Sequence, residues 1–84
     1  MKICIDTEAT GRQIRDLRNE CDLSMLNMSE MLGVTFQAVY KWEKGICLPG
    51  IANLVMLARI LKTTVDDILV VRYEEPGQSE RMLI

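Results

Sequence analysis

Eighty-four residues, 49% of them hydrophobic and 26% charged, describe one small globular domain, too apolar for a disordered tail and too short to bury a deep core. A net charge of −2 excludes a sticky, polybasic surface. No apolar run approaches the roughly 18 to 20 residues that cross a bilayer, and the opening Met1-Lys2-Ile3-Cys4-Ile5-Asp6 is too short and too soon acidic for a signal peptide, so a soluble cytoplasmic chain without membrane contact is expected.

From the N-terminus, residues 2–5 alternate weakly and include two Ile, which fits a short strand. Thr7 to Cys21 reads as a first helix, with Ile14, Leu17 and Cys21 on one face and Arg12, Arg15, Asp16 and Glu20 on the others. Either Thr7 caps it or Thr10 does, in a capping box with Gln13. After a short Asp22-Leu23 link, Ser24 caps a second helix over Met25–Leu32, which Gly33 ends in the left-handed conformation. Thr35 caps a third helix over Phe36–Lys44, and Gly45 ends that one. Ile46 to Pro49 form a loop, because proline cannot continue a helix. A fourth helix follows over Ile51–Leu61, with Ile51, Leu54, Val55, Ala58 and Leu61 as its buried stripe. Thr64 with Asp67 is a capping box for a short fifth helix over Val65–Leu69. Val70 to Tyr73 is β-branched or aromatic and reads as extended, and Pro76-Gly77-Gln78-Ser79 marks a mobile tail.

The chain therefore reads as all-α, with short terminal strands. Residues 1–6 are an N-terminal arm or strand, 7–69 the helical domain, and 70–84 an extended segment and tail. Leu17, Met28, Leu32, Val39, Trp42, Leu54, Leu57, Ala58 and Leu61 are the expected core.

Chemistry-bearing motifs are few. There is no His, no glycine-rich phosphate loop, and no CxxC among Cys4, Cys21 and Cys47, so neither an enzyme nor a metal site nor a cofactor is expected. Charge, however, is uneven. Residues 36–64 carry Lys41, Lys44, Arg59 and Lys62 against Glu43 alone, a net +3, whereas residues 65–84 carry a net −3. A local basic face on an acidic molecule can bind phosphates. The Gly33-Val34-Thr35 turn sets two helices at a steep angle, an arrangement in which the second can lie in the major groove of duplex DNA while the first crosses the backbone.

Around that turn, Leu23-Ser24, Met28 to Val34, Gln37 to Gly45, Leu48-Pro49, Leu54, Leu57-Ala58, Leu61 and Val65 to Leu69 resemble the lambda-repressor-like, Xre/Cro-type helix-turn-helix family, over about fifty residues. The resemblance implies five helices and a DNA-binding transcriptional regulator acting as a homodimer on double-stranded DNA. It implies that Phe36, Gln37, Tyr40 and Lys41 contact bases, that Ser24, Thr35, Lys44 and Cys47 lie along phosphates, and that Arg18 and Glu43 form a structural ion pair. The residues suit these roles. Positions 36, 37, 40, 41 and 44 share one helical face and 39 and 42 the opposite one. Gln37 can pair bidentately with an adenine edge, Lys41 can donate to guanine, and Phe36 can pack on a thymine methyl.

Departures point elsewhere. The family usually has Gln, a phosphate ligand, where this chain has Met25, and polar residues where it has Leu26 and Met31. An exposed patch of Met25, Leu26 and Met31 would suit a protein partner, so the alternative is an interaction module or antitoxin-type component on the same fold.

Overall fold

The computed structural model describes residues 2–74, and the tail from Glu75 onward lies outside the described residues. In chain order the elements are β1 (Lys2–Ile5), α1 (Thr7–Glu20), α2 (Met25–Leu32), α3 (Phe36–Glu43), α4 (Ile51–Ile60), α5 (Val65–Ile68) and β2 (Val71–Glu74). Helix positions agree with the sequence reading to within a residue at each end. Cys21, Lys44, Leu61 and Leu69, read as last helical residues, are instead the C-caps.

The start of α1 departs from both readings. Asp6 is its cap, and its carboxylate accepts from the Ala9 N–H at 2.9 Å. Thr10 cannot serve, because it lies on the inward face one turn before Ile14 and is fully buried. Its hydroxyl oxygen accepts from the Val70 N–H at 2.9 Å, tying the start of β2 to α1.

Ser24 and Asn27 form a reciprocal capping box at α2, the Ser24 oxygen accepting from the Asn27 N–H and the Asn27 side-chain oxygen from the Ser24 N–H. Gly33 ends α2 at φ 70°, with the Val34 N–H returning to the Ser29 carbonyl at 3.0 Å. At α5 the box is only half made. Thr64 accepts from the Asp67 N–H, but the Asp67 carboxylate takes the Thr63 hydroxyl.

The core is Ile14, Met28, Val39, Trp42, Leu54, Leu57, Ala58, Leu61 and Ile68, with Leu17 and Leu32 half-buried against it. The stripe read on α4 is corrected. Ile51 is 81% exposed and Val55 is exposed too, while Leu57 is buried. Both stripes obey a three-and-four spacing, because α4 is apolar nearly all round and carries Arg59 as its single charge. Periodicity cannot choose between faces of such a helix, and packing turns it about Leu57.

β1 and β2 pair antiparallel, with Ile3 opposite Tyr73 and Ile5 opposite Val71. Directly opposed residues project to the same side, so these four form one apolar face of the ribbon. Lys2, Cys4, Arg72 and Glu74 form the other.

Candidate nucleic-acid interface

Why α3 presents one face outward follows from its eight residues. Val39 and Trp42 are buried, Trp42 with 5% exposure, and they turn the opposite side to solvent. Phe36, Gln37, Tyr40 and Lys41 are all exposed on that side, as the spacing predicts, and Lys44 continues the face at the C-cap. Among them stand two cations, one amide and two aromatics. The helix's single carboxylate, Glu43, points inward.

Arg18 on α1 engages that carboxylate through two hydrogen bonds. Its Nε donates to Glu43 Oε2 at 2.7 Å and its Nη2 to Oε1 at 3.0 Å, while Nη1 donates to the Leu23 carbonyl at 2.8 Å. Side-chain exposure is 12% for Arg18 and 6% for Glu43. The bidentate fork fixes the orientation of α3 on α1 and keeps the negative charge off the outward face of α3.

Gly11 makes the same clasp from the other side. A Cβ there would stand 2.5 Å from the Trp42 carbonyl oxygen and 2.6 Å from that of Glu43. A Cβ on Gly45, at φ 74°, would likewise stand 2.7 Å from the Glu8 Cα. The sequence signal was a glycine inside a helix, which costs stability unless something must approach closely.

The residues read as phosphate contacts fare unevenly. Ser24 is exposed, yet its N–H and its acceptor oxygen are both used by Asn27, which leaves the hydroxyl proton free to donate. Thr35 is exposed in the same way, its oxygen accepting from the Ala38 N–H at 3.1 Å. Lys44 is exposed, with Nζ 5.6 Å from the centre of the Tyr40 ring. Cys47 is exposed. The loop N–H of Ile46 is spent on the helix end, donating to the Lys41 carbonyl at 2.9 Å, as Gly45 does to Trp42. The N–H of Ile46, next to Cys47, is therefore already satisfied within the chain.

The patch of Met25, Leu26 and Met31 does not exist as one surface. Met25 is half-buried against the core, and only Leu26 and Met31 are exposed. At about 100° per residue, the three point to different sides of α2. Met31 borders a hollow with Glu20, Leu23 and Ile60, away from Leu26. The interaction-module reading loses the surface it rested on.

The helix-turn-helix family model matches residues 14–68, which spans α1 from Ile14 through α5. The chain belongs to the lambda-repressor-like helix-turn-helix family. This helix-turn-helix chain is 38% identical, over 52 residues and 62% of its length, to an uncharacterized HTH-type transcriptional regulator, y4wC, of Sinorhizobium fredii. It spans only 36% of that relative's length. Among solved structures it is similar to the P22 c2 repressor in complex with a synthetic operator, with TM-score 0.68 and 28% identity over 71% of this chain and 91% of that one. The restriction-modification controller protein C.AhdI of Aeromonas hydrophila shares the fold, with TM-score 0.69 and 24% identity over 75% of this chain and 96% of that one. Among the described residues no helix of the helix-turn-helix chain is long and apolar enough to cross a membrane.

Proposed function

We propose that the chain is a sequence-specific DNA-binding transcriptional regulator that lays α3 in the major groove. The observation that carries this is the two-sidedness of α3. Its back is buried and clasped by α1, and its front presents Phe36, Gln37, Tyr40 and Lys41 free of any neighbouring acid on the same helix. These four read base edges, and Ser24, Thr35, Lys44 and Cys47 lie along the phosphates. The likeness to an operator-bound repressor supports the same reading. The protein would act in the cytoplasm.

Selection from a random duplex library, followed by titration at several salt concentrations, tests it. Gln37→Ala and Lys41→Ala relax base preference and cost about 1 to 3 kcal/mol each on the best site. Lys44→Ala weakens all sequences alike and lowers the salt slope by about one. Unchanged affinity and preference in Lys41→Ala overturns the base-reading role.

One α3 reads few base pairs, so we place two copies on a near-palindromic site with half-sites about one helical turn apart. The apolar face of the ribbon is the contact. Ile3, Ile5, Val71 and Tyr73 are all exposed on it, presenting on the order of 400 Å², a patch size that on monomers is often functional. Two such faces together bury about 800 Å², which suits a weak dimer completed on DNA. Sedimentation with and without operator, on the full chain and on one lacking residues 1–5, decides this. Equal self-association in both removes the ribbon from the interface.

A further inference from the structure

Three helices end around one hollow. The ends of α1, α2 and α4 bring Glu20, Asp22, Leu23, Met31, Ile60 and Lys62 to its lining, in a space of about 470 Å³. Leu23 and Ile60 are half-buried against the core and give an apolar floor, while Met31, 54% exposed, carries the apolar lining out to the surface. Glu20, Asp22 and Lys62 are exposed. Neither carboxylate forms an ion pair among the described residues, so one ammonium stands against two unpaired acids.

The backbone adds to that negative field. A helix C-terminus carries a partial negative charge that favours cations, and three of them meet here. α2 has no basic residue in its last turn. Arg18, the basic residue in the last turn of α1, is spent on Glu43. α1 and α4 both turn out through left-handed residues, Asp22 at φ 56° and Lys62 at φ 58°. The amides of these turns return to the carbonyls of Arg18, Asn19, Ala58 and Arg59, which leaves those of Glu20 and Ile60 without a donor among the described residues.

Acids and helix C-termini repel phosphate, so this surface is no part of a DNA interface. They call instead for a cation with several donors, set beside apolar groups. An arginine side chain offers five N–H donors in a planar fork on an apolar stem. We infer that the hollow is a docking surface for a partner protein, which inserts an arginine flanked by apolar residues. A protein fits better than a small molecule, because a small ligand is held by burying most of its surface, and here the apolar lining is open at Met31. The guanidinium meets Glu20 and Asp22, and its apolar flanks cover Leu23, Met31 and Ile60. Neither Met25 nor Leu26 lines this surface. The inference stands apart from the DNA-binding reading and from the ribbon contact.

The experiment selects a displayed library of random peptides on the full chain, then titrates the enriched peptides by fluorescence anisotropy against the parent and its variants. Enriched peptides are expected to carry arginine between apolar residues. Glu20→Gln combined with Asp22→Asn weakens them by about tenfold, since two charge contacts are lost, and asparagine keeps the left-handed backbone of that turn. Met31→Ala weakens them as well. Asp66→Asn removes an exposed acid on α5 that does not line the hollow, and leaves binding unchanged. Replacing the peptide's arginine by citrulline, its uncharged isostere, has the effect of the double variant. No enrichment, enriched peptides without a basic residue, or binding that ignores both the double variant and Met31→Ala overturns the surface. An equal loss in Asp66→Asn overturns it too, because general attraction to an acidic chain would then account for the binding.

Discussion

The clasp between α1 and α3 and the ribbon of β1 and β2 both join segments distant in sequence, but they are built in opposite ways. At the clasp the contacts are buried and specified atom by atom. Arg18 and Glu43 are paired twice, Gly11 admits the carbonyls of Trp42 and Glu43, and Trp42 is in the core. At the ribbon every residue but Cys4 is exposed, and one apolar face meets solvent. Its described side-chain hydrogen bond runs from the Cys4 thiol to Glu74 at 2.9 Å. The first joint sets the pose of α3 and leaves no slack. The second contributes little to the folded monomer and leaves a surface available.

If that contrast is right, substitutions at the clasp should be costly and those at the ribbon cheap. Trp42→Ala is the severest, costing about 3 to 5 kcal/mol through a cavity between α3 and the core. Urea unfolding measures it, and a loss under about 1 kcal/mol would place Trp42 outside the core.

Glu43→Ala leaves the Arg18 guanidinium largely buried without its carboxylate, at a cost of about 3 kcal/mol or more. The double variant Arg18→Met with Glu43→Leu should recover much of that, since paired apolar replacement removes the stranded charge. A double variant as unstable as Glu43→Ala would show that the fork does more than satisfy itself.

Gly11→Ala pushes α1 off the end of α3 and is expected to cost about 1 to 3 kcal/mol. Because α3 must shift to relieve the clash, affinity for DNA should fall as well, in protein still folded by circular dichroism. Unchanged binding would separate the clasp from recognition.

The smallest effect lies at the ribbon. Ile3→Lys should move stability by less than about 0.5 kcal/mol. The hydrogen bond from Cys4 lowers the pKa of Glu74, with Lys2 adding to it, and the same bond raises that of Cys4. A lowered acid contributes above its ordinary value and loses that contribution as pH falls. A raised thiol contributes below its ordinary value and loses it as pH rises. The contact is thus strongest at intermediate pH. Cys4 should alkylate more slowly in the folded chain than in denaturant, and Glu74→Gln should speed it. Equal rates would mean that the ribbon is not formed in solution.

The sequence by itself determined the helices and the outward residues of α3, because caps, left-handed glycines and helical spacing act over a few residues. Ser24, Gly33, Thr35 and Gly45 punctuate the chain wherever it folds, and Val39 and Trp42 orient α3 through their own spacing. The family motif supplied the one long-range contact named in advance, Arg18 with Glu43, which the structure forms. Tertiary structure alone decided which side of the apolar α4 is buried, that Thr10 anchors β2 instead of capping α1, and that Met25 is half-buried against the core. It alone set Arg15 of α1 and Lys44 at the end of α3 around one hollow. Each of these depends on what lies across a gap from a residue, and neither spacing nor propensity along one helix carries that information.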